Sequence, residues 1–246
     1  MNFLQIKPEQ FVEQFEQASE QLALSLRAGR EMQDEVGQQM LDAMRQSVDI
    51  LQRMQADRRA AASAELDSAD VSKVGDYGLE LLDELSILAA SRGLQQAMLD
   101  LQRLSIPLAL WVADLGGHID RLDIVVNAFA GHANEIRDPE PLLQLSEAMG
   151  QVVNAVSDAI KQDLEVGNPM RPWRILNLNW GIVATRSHDT EEMERVFSQL
   201  MNNIPADAGQ FFQEGMQQMD IVGYPDHVRE VMDRFNRLVG NSDILH

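Results

Sequence analysis

Apolar residues recur at intervals of three and four along most of the chain, and this helical period constrains the fold more than any other feature. It is clearest over residues 172–239, where a helix through Trp180 and Gly181 is followed by a helix through Met193 and Phe197. No window alternates apolar and polar residues between turn signals, as a half-buried β-strand does. The sequence therefore predicts an all-α protein in which residues 172–239 form two helical hairpins placed end to end.

The N-terminal part of the chain also has the pattern of a helical hairpin. Apolar residues follow a helical period over residues 8–29, and a second helix is predicted at residues 31–60. The second helix has the alternating three- and four-residue spacing of a coiled-coil seam. The seam residues are Leu41, Met44, Val48 and Leu51. We therefore predict an amphipathic helical hairpin over residues 1–62.

The rest of the chain is predicted to contain a short connection and a longer helical part. Residues 63–75 are small or polar, apart from Leu66 and two valines, and form either a linker or an extension of the preceding helix. Further helical patterns follow, separated by breaks at Gly-Gly 116–117 and at residues 138–141. We therefore predict that residues 76–241 form an array of antiparallel helical hairpins.

The net charge and composition of the chain argue against some partners and locations. The 246 residues carry a formal net charge of −19, and this charge repels nucleic acid and anionic membrane surfaces, which attract Lys and Arg. The chain has no cysteine, which suits a reducing compartment. Its N-terminus lacks a signal-peptide pattern, and no apolar run approaches the roughly 20 residues that span a bilayer. We therefore expect a cytoplasmic protein with no nucleic-acid partner and no integral membrane segment.

Four residues in the C-terminal third have the spacing of a known helical repeat. They are Trp180, Gly181, Phe197 and Pro205. With them, residues 174–207 resemble a tetratricopeptide repeat, a helix-turn-helix unit of about 34 residues. Gly215 stands one repeat length after the first glycine, and residues 208–241 resemble a second unit in part. The second unit departs from the family pattern at His227 and Gly240. The resemblance implies that the predicted array is a right-handed solenoid.

The same resemblance implies a peptide-binding groove lined by the first helix of each hairpin. In the better-matched unit it places Leu178, Asn179, Ile182 and Arg186 at the groove, with Arg174 at the entrance. Some grooves of this family hold a C-terminal carboxylate. Asn179 and Arg186 have suitable chemistry for that purpose, because Arg presents a planar fork to a carboxylate and Asn can bond a peptide backbone.

A polar stripe on the same helix adds one more candidate contact. Arg174, Asn177, Thr185 and His188 lie near one helical face, which is either a recognition surface or the solvated side of the helix. The predicted partner-binding residues are Arg174, Asn177, Asn179 and Arg186. The predicted function is the non-catalytic binding of a protein or peptide partner, as a scaffold or adaptor.

The sequence has no arrangement typical of catalysis. It contains no G-x-S-x-G elbow, no thiol, no Gly-rich phosphate loop and no H-E-x-x-H pair. We therefore expect no enzymatic activity, no cofactor and no metal site. The alternative is an all-α enzyme or cofactor-binding protein with a polar site between helices. That site would use some of His118, His132, His188 and Arg186.

A third hypothesis concerns the N-terminal hairpin. Residues 8–60 are rich in Gln and Met and loosely resemble phasins, helical proteins that coat granules, so the chain would be a granule- or surface-associated protein. The methionines also make the hairpin a candidate dimerisation surface, because Met packs adaptably at contact surfaces. They are Met32, Met40, Met44 and Met54. The same residues are more typical of an intramolecular core.

Overall fold

The computed structural model describes residues 4, 6–29, 32–60 and 67–242, without the side chains of residues 241 and 242. In this part of the chain the regular structure is α-helical and contains no β-strand, which confirms the all-α prediction. The helices are α1 (Pro8–Ala28), α2 (Met32–Ala60), α3 (Ser68–Ser91), α4 (Gln95–Arg103), α5 (Ser105–Asp114), α6 (Asp123–Glu135), α7 (Pro139–Ala155), α8 (Asp158–Lys161), α9 (Pro172–Ser187), α10 (Thr190–Asn203), α11 (Pro205–Val222) and α12 (Asp226–Ser242).

The chain divides into two compact units. Unit 1 comprises Met1–His132 and Asn154–Ser157, and unit 2 comprises Ala133–Val153 and Asp158–His246. These bounds differ from the predicted domains, because the N-terminal hairpin shares its unit with the helices that follow it.

Unit 1 is built on the predicted N-terminal hairpin. The apolar stripe of α1 and the predicted seam of α2 are closed to solvent, and α1 packs against α2. Their largest buried side chains are Phe11, Phe15, Leu22, Leu26, Leu41, Met44 and Leu51. On the outside of the pair, the guanidinium of Arg45 donates to both carboxylate oxygens of Glu16, at 2.6 and 2.9 Å. The two amphipathic patterns therefore meet each other, as the sequence predicts.

The predicted connection at residues 63–75 contains the start of α3. The carboxylate of Asp67 accepts a hydrogen bond from the N–H of Ala69 at 2.9 Å, which caps the helix at its first turn. Residues 68–75 therefore belong to a helix with its own N-cap, whereas residues 63–66 lie outside the described residues.

The helices α3, α4 and α5 close unit 1 into a bundle. α3 packs against α2, α4 and α5, and α1 contacts α4 and α5 as well as α2. Gly75 permits the approach of α3 to α5, because a Cβ at this position would overlap the side chain of Val112. In an open solenoid each hairpin contacts only its neighbours in sequence. The predicted array over residues 76–241 therefore does not describe α3 to α5, which pack with the N-terminal helices.

Unit 2 contains the two hairpins predicted for residues 172–239. α9 packs against α10, and α11 packs against α12. α9 ends at His188, whose φ of 59° lies in the left-handed region. Asp189 then caps α10 by accepting a hydrogen bond from the N–H of Glu192 at 2.8 Å. Gly223, with a φ of 75°, ends α11 in the same left-handed conformation.

Aromatic side chains join these hairpins to each other. The ring of Phe197 in α10 meets the rings of Phe211, Phe212 and Phe235 edge-on, at centroid distances of 5.8, 5.1 and 5.3 Å. Each such pair contributes about 0.5–1.5 kcal/mol beyond its buried area. Trp180 of α9 is fully buried, and its indole N–H donates to the carbonyl of Ser146 in α7 at 2.8 Å.

Two glycines set the spacing between helices in unit 2. A Cβ at Gly181 would lie 2.5 Å from Cζ of Phe211 and 3.0 Å from Cδ1 of Leu200. A Cβ at Gly215 would lie 2.8 Å from Sδ of Met232. At Gly181 the ring of Phe211 leaves no room for a methyl group, so this position uses glycine despite its lower helix propensity. At Gly215 an added methyl group would displace the flexible end of the Met232 side chain. The two glycines, which stand one repeat length apart in the sequence, therefore both lie at helix contacts, Gly181 against α10 and α11 and Gly215 against α12.

We expect Gly181→Ala to lower the free energy of unfolding by about 1–3 kcal/mol, because the added methyl group overpacks the contact with Phe211. Gly131→Ala in α6 is the matched control, since no heavy atom lies within 4 Å of its added Cβ. The control should raise the free energy of unfolding by about 0.5–1 kcal/mol. Urea unfolding followed by circular dichroism measures both changes. Equal stabilisation by the two substitutions would contradict the close approach.

Candidate functional site

A groove of about 270 Å³ lies within unit 2, between α9, α11 and α12. Its lining is mainly apolar and comes from both hairpins. The apolar and aromatic lining residues are Ile182, Phe211, Met219, Val222, Tyr224 and Met232. The polar lining residues are Thr185, Glu214 and Gln218. The first helix of each hairpin therefore contributes to one concave surface.

Apolar side chains at this groove remain open to solvent. Ile182 of α9 is 47% exposed and Val222 of α11 is 63% exposed, while Phe211 and Met219 form a buried floor. Exposed apolar side chains beside a concave surface are typical of a site that binds another molecule. The groove is therefore the candidate functional site of unit 2.

The turn between α11 and α12 places Tyr224 at the edge of the groove. The ring of His188 meets the ring of Tyr224 edge-on at a centroid distance of 5.6 Å. Burial raises the pKa of the Tyr224 hydroxyl. Burial, and then the nearby His227, lower the pKa of the His188 imidazole. At neutral pH the phenol is therefore protonated and the imidazole of His188 is neutral.

The polar groups of the groove give it a negative character. The hydroxyl of Thr185 donates to the carbonyl of Gly181 at 2.8 Å, so its proton is used within α9. The exposed carboxylate of Glu214 accepts a hydrogen bond from the side-chain amide of Gln210 at 2.7 Å. Among the described residues that line the groove, Glu214 alone is an acidic or basic side chain charged at neutral pH. The groove therefore combines apolar surface with one carboxylate.

The predicted contacts Arg174 and Asn177 are used inside unit 2. Nε of Arg174 donates to Oδ1 of Asp207 in α11 at 2.6 Å. Asn177 is fully buried, and its amide donates to the carbonyl of Trp173 at 2.9 Å while its oxygen accepts from the amide of Asn203 at 2.7 Å. In this structure Asn177 presents no surface to a partner, and Arg174 fastens α9 to α11.

The predicted contacts Asn179 and Arg186 are both partly exposed. The guanidinium of Arg186 donates to the carbonyls of Ala133 and Ile136, at 2.9 and 2.6 Å. The sequence spacing of Arg174 and Arg186 corresponds to about 18 Å along the helix. The four predicted residues therefore do not converge on one site, and none of them lines the groove.

The residues predicted for the groove all belong to α9, and one of them lines it. Ile182, which the family resemblance placed at a groove, lines it. The resemblance implied that the first helix of the second hairpin also lines the groove, but it named no residue of α11, such as Phe211 or Glu214. The repeat of Gly181 at Gly215 was the available signal, because it indicates that α11 is the first helix of a second hairpin.

The residues of the enzyme hypothesis do not form a metal site in the described part of the chain. His118 and His132 belong to unit 1, and His188 belongs to unit 2. No group of three or more His, Cys, Asp or Glu side chains that could hold a metal ion occurs among the described residues. No described helix has both the length and the apolar character needed to cross a membrane.

We find no match for the chain among protein-family models, curated proteins or solved structures. The resemblance to tetratricopeptide repeats therefore rests on residue spacing and stays a prediction.

The contact between Asp207 and Arg174 gives unit 2 a testable pH dependence. Burial alone would raise the pKa of the Asp207 carboxyl, but hydrogen bonds from Arg174 and Arg171 outweigh burial and hold that pKa below its ordinary value. The folded protein therefore keeps this carboxylate ionised at a lower pH than the unfolded chain does. Its contribution to stability is complete above about pH 4 and is lost as the pH falls through the lower, folded-state pKa.

We expect Asp207→Asn to lower the free energy of unfolding by about 3 kcal/mol at neutral pH, because it leaves the buried Arg171 without one of its charge partners. The difference from the unsubstituted protein should shrink as the pH falls below about 4. Asp233→Asn is the control, since its ion pair with Arg237 is exposed and contributes about 0–1 kcal/mol. Urea unfolding at a series of pH values measures both differences. A constant deficit for Asp207→Asn across that series would contradict the lowered pKa.

Proposed function

We propose that the protein binds a segment of a partner protein in the groove of unit 2, as a non-catalytic scaffold or adaptor. The observation that carries this proposal is the apolar groove between two successive hairpins, with Ile182 and Val222 exposed beside it. A cavity of about 270 Å³ is just below the usual range of roughly 300–1,000 Å³ for ligand pockets. It suits a few side chains of an extended or helical segment, whereas a whole folded domain would need a wider surface.

We further propose that unit 2 is a short solenoid similar to tetratricopeptide repeats. Two features support this: each hairpin contains a glycine at a close helix contact, and the two glycines, Gly181 and Gly215, are one repeat length apart. In such an array the first helices line the groove, and here α9 and α11 both contribute to it. The absence of cysteine supports a cytoplasmic location as part of the same proposal.

The proposed partner segment carries apolar side chains next to Lys or Arg. Apolar side chains would cover Ile182 and the floor formed by Phe211 and Met219. A cationic side chain would pair with Glu214, and the chain's net charge of −19 would attract a basic partner over longer distances. Complementary charge speeds association and fixes the register of a bound segment, while apolar burial supplies most of the affinity.

The groove is held in shape before a partner binds. The close contact of Gly181 with Phe211 joins α9 to α11, and the ring contact of Phe197 with Phe211 joins α10 to α11. A preformed site binds more tightly than a flexible one, because less conformational entropy is lost on binding.

Selection from a displayed library of random peptides on the full-length protein tests this function. We expect the selected peptides to combine apolar residues with Lys or Arg. Ile182→Asp should weaken their binding at least about tenfold, since a lost apolar anchor contributes about 1.5–3 kcal/mol. Ile87→Asp is the matched control, because Ile87 is an exposed isoleucine on α3 of unit 1, away from the groove.

A charge reversal tests the chemistry of the partner separately. Glu214→Lys should change the selected peptides from basic to acidic flanks while their apolar residues stay the same. If Ile182→Asp binds the original peptides as well as the control does, the groove is not the binding site. If Glu214→Lys selects the same basic peptides, Glu214 does not recognise the partner's charge.

A further inference from the structure

The helix α2 of unit 1 carries two apolar stripes, and only one of them is buried. The stripe through Leu41, Met44, Val48 and Leu51 packs inside unit 1. A second set of residues recurs at three- and four-residue steps or their sums, and so lies along one side of the helix. We call this set the outer stripe. It consists of Met32, Val36, Met40, Ala43, Ile50 and Met54.

The outer stripe is open to solvent over much of its length. Met32 is 81% exposed, Val36 is 47% exposed and Ile50 is 41% exposed, while Met40 and Met54 are half-buried. From its first to its last residue the stripe is about 33 Å long. A solvated helix face is normally polar, so a stripe of this length indicates a surface that another molecule covers.

Four residues of the outer stripe are placed symmetrically about Ala43, whereas Met40 would lie level with Gln46 of an antiparallel copy. The symmetric pairs identify what covers the stripe. Met32 and Met54 are equally far from Ala43 in the sequence, on opposite sides of it, and so are Val36 and Ile50. An antiparallel copy of α2 would therefore place Met beside Met and Val beside Ile at matching levels. The small side chain of Ala43 would lie on the twofold axis, where two helices approach most closely.

Charged residues beside the stripe favour the same antiparallel arrangement. Glu35 and Arg53 are both exposed, and a whole number of helical turns separates them, so they lie on the same edge of the outer stripe. Pairing about Ala43 would bring Glu35 of one copy within about 3 Å, along the axis, of Arg53 of the other copy. In a parallel pair, Glu35 would instead lie level with Glu35 of the other copy, and Arg53 with Arg53.

We propose that two copies of this chain pair through the outer stripe, with their α2 helices antiparallel about a twofold axis at Ala43. A stripe about 33 Å long and 10 Å wide gives a footprint of about 330 Å² per copy. A stable interface buries about 800 Å² per partner, so the pair is a weak and reversible dimer. The proposal uses unit 1 alone and goes beyond the groove function of unit 2.

Crosslinking through single introduced cysteines tests the dimer, because the chain contains no cysteine of its own. Ala43→Cys should form a disulfide between two copies under mild oxidation. Val36→Cys alone and Ile50→Cys alone should not, since the two copies of each position lie about 21 Å apart along the axis. A mixture of these two variants should crosslink. Non-reducing gels would compare the rates with Ile87→Cys, an exposed control on α3.

We expect Ala43→Cys, and the mixture of Val36→Cys with Ile50→Cys, to crosslink at least tenfold faster than the control. Crosslinking of Val36→Cys alone as fast as Ala43→Cys would overturn the antiparallel arrangement. Rates equal to the control at every position would overturn pairing of copies, and would leave a different protein or a lipid surface as the occupant of the stripe.

The charged edge gives a second measurement that does not depend on the apolar side chains. In the Ala43→Cys background, Glu35→Arg and Arg53→Glu should each slow crosslinking several-fold, and the double substitution should restore the rate. Circular dichroism would show that each variant keeps its helical content. Failure of the double substitution to restore the rate would overturn the proposed register.

Discussion

The close approach of helices at glycine residues is the constraint on which both units depend. Gly75 lets α3 reach α5 in unit 1, and Gly181 and Gly215 bring α9, α11 and α12 together in unit 2. Core packing in proteins is dense, so a single added methyl group at such a contact must displace a neighbouring side chain. The groove exists because these contacts fix the distance between the helices that line it.

The helices and the pairing of neighbouring helices could be predicted from sequence, but the packing of helices that are distant in sequence could not. An amphipathic period is local, and it predicted the N-terminal pair and the hairpins of residues 172–239. It shows that one face of a helix is buried without showing which helix covers it. The grouping of α3, α4 and α5 with the N-terminal helices depends on contacts such as that of Gly75 with Val112, whose partners are distant in sequence.

The candidate site shows the same division between local and distant information. Arg174, Asn177 and Arg186 were predicted as partner contacts from one helix. In the structure each of them makes hydrogen bonds to residues elsewhere in unit 2, so these side chains hold the unit together. Ile182 could be predicted, because the resemblance to a repeat family places this position of α9 at the groove. Glu214 could not, since its place in the groove follows from how α11 packs against α9 and α12.

The very short connection between α9 and α10 has a consequence for the order in which unit 2 folds. The left-handed His188 and the capping residue Asp189 join these helices with almost no intervening chain. The entropy lost on closing such a short loop is small, so the contact between α9 and α10 is local in sequence. The groove needs α12 as well, whose contact with α10 spans a longer stretch of sequence. The groove is therefore expected to form after the hairpin of α9 and α10, when α12 has packed against it.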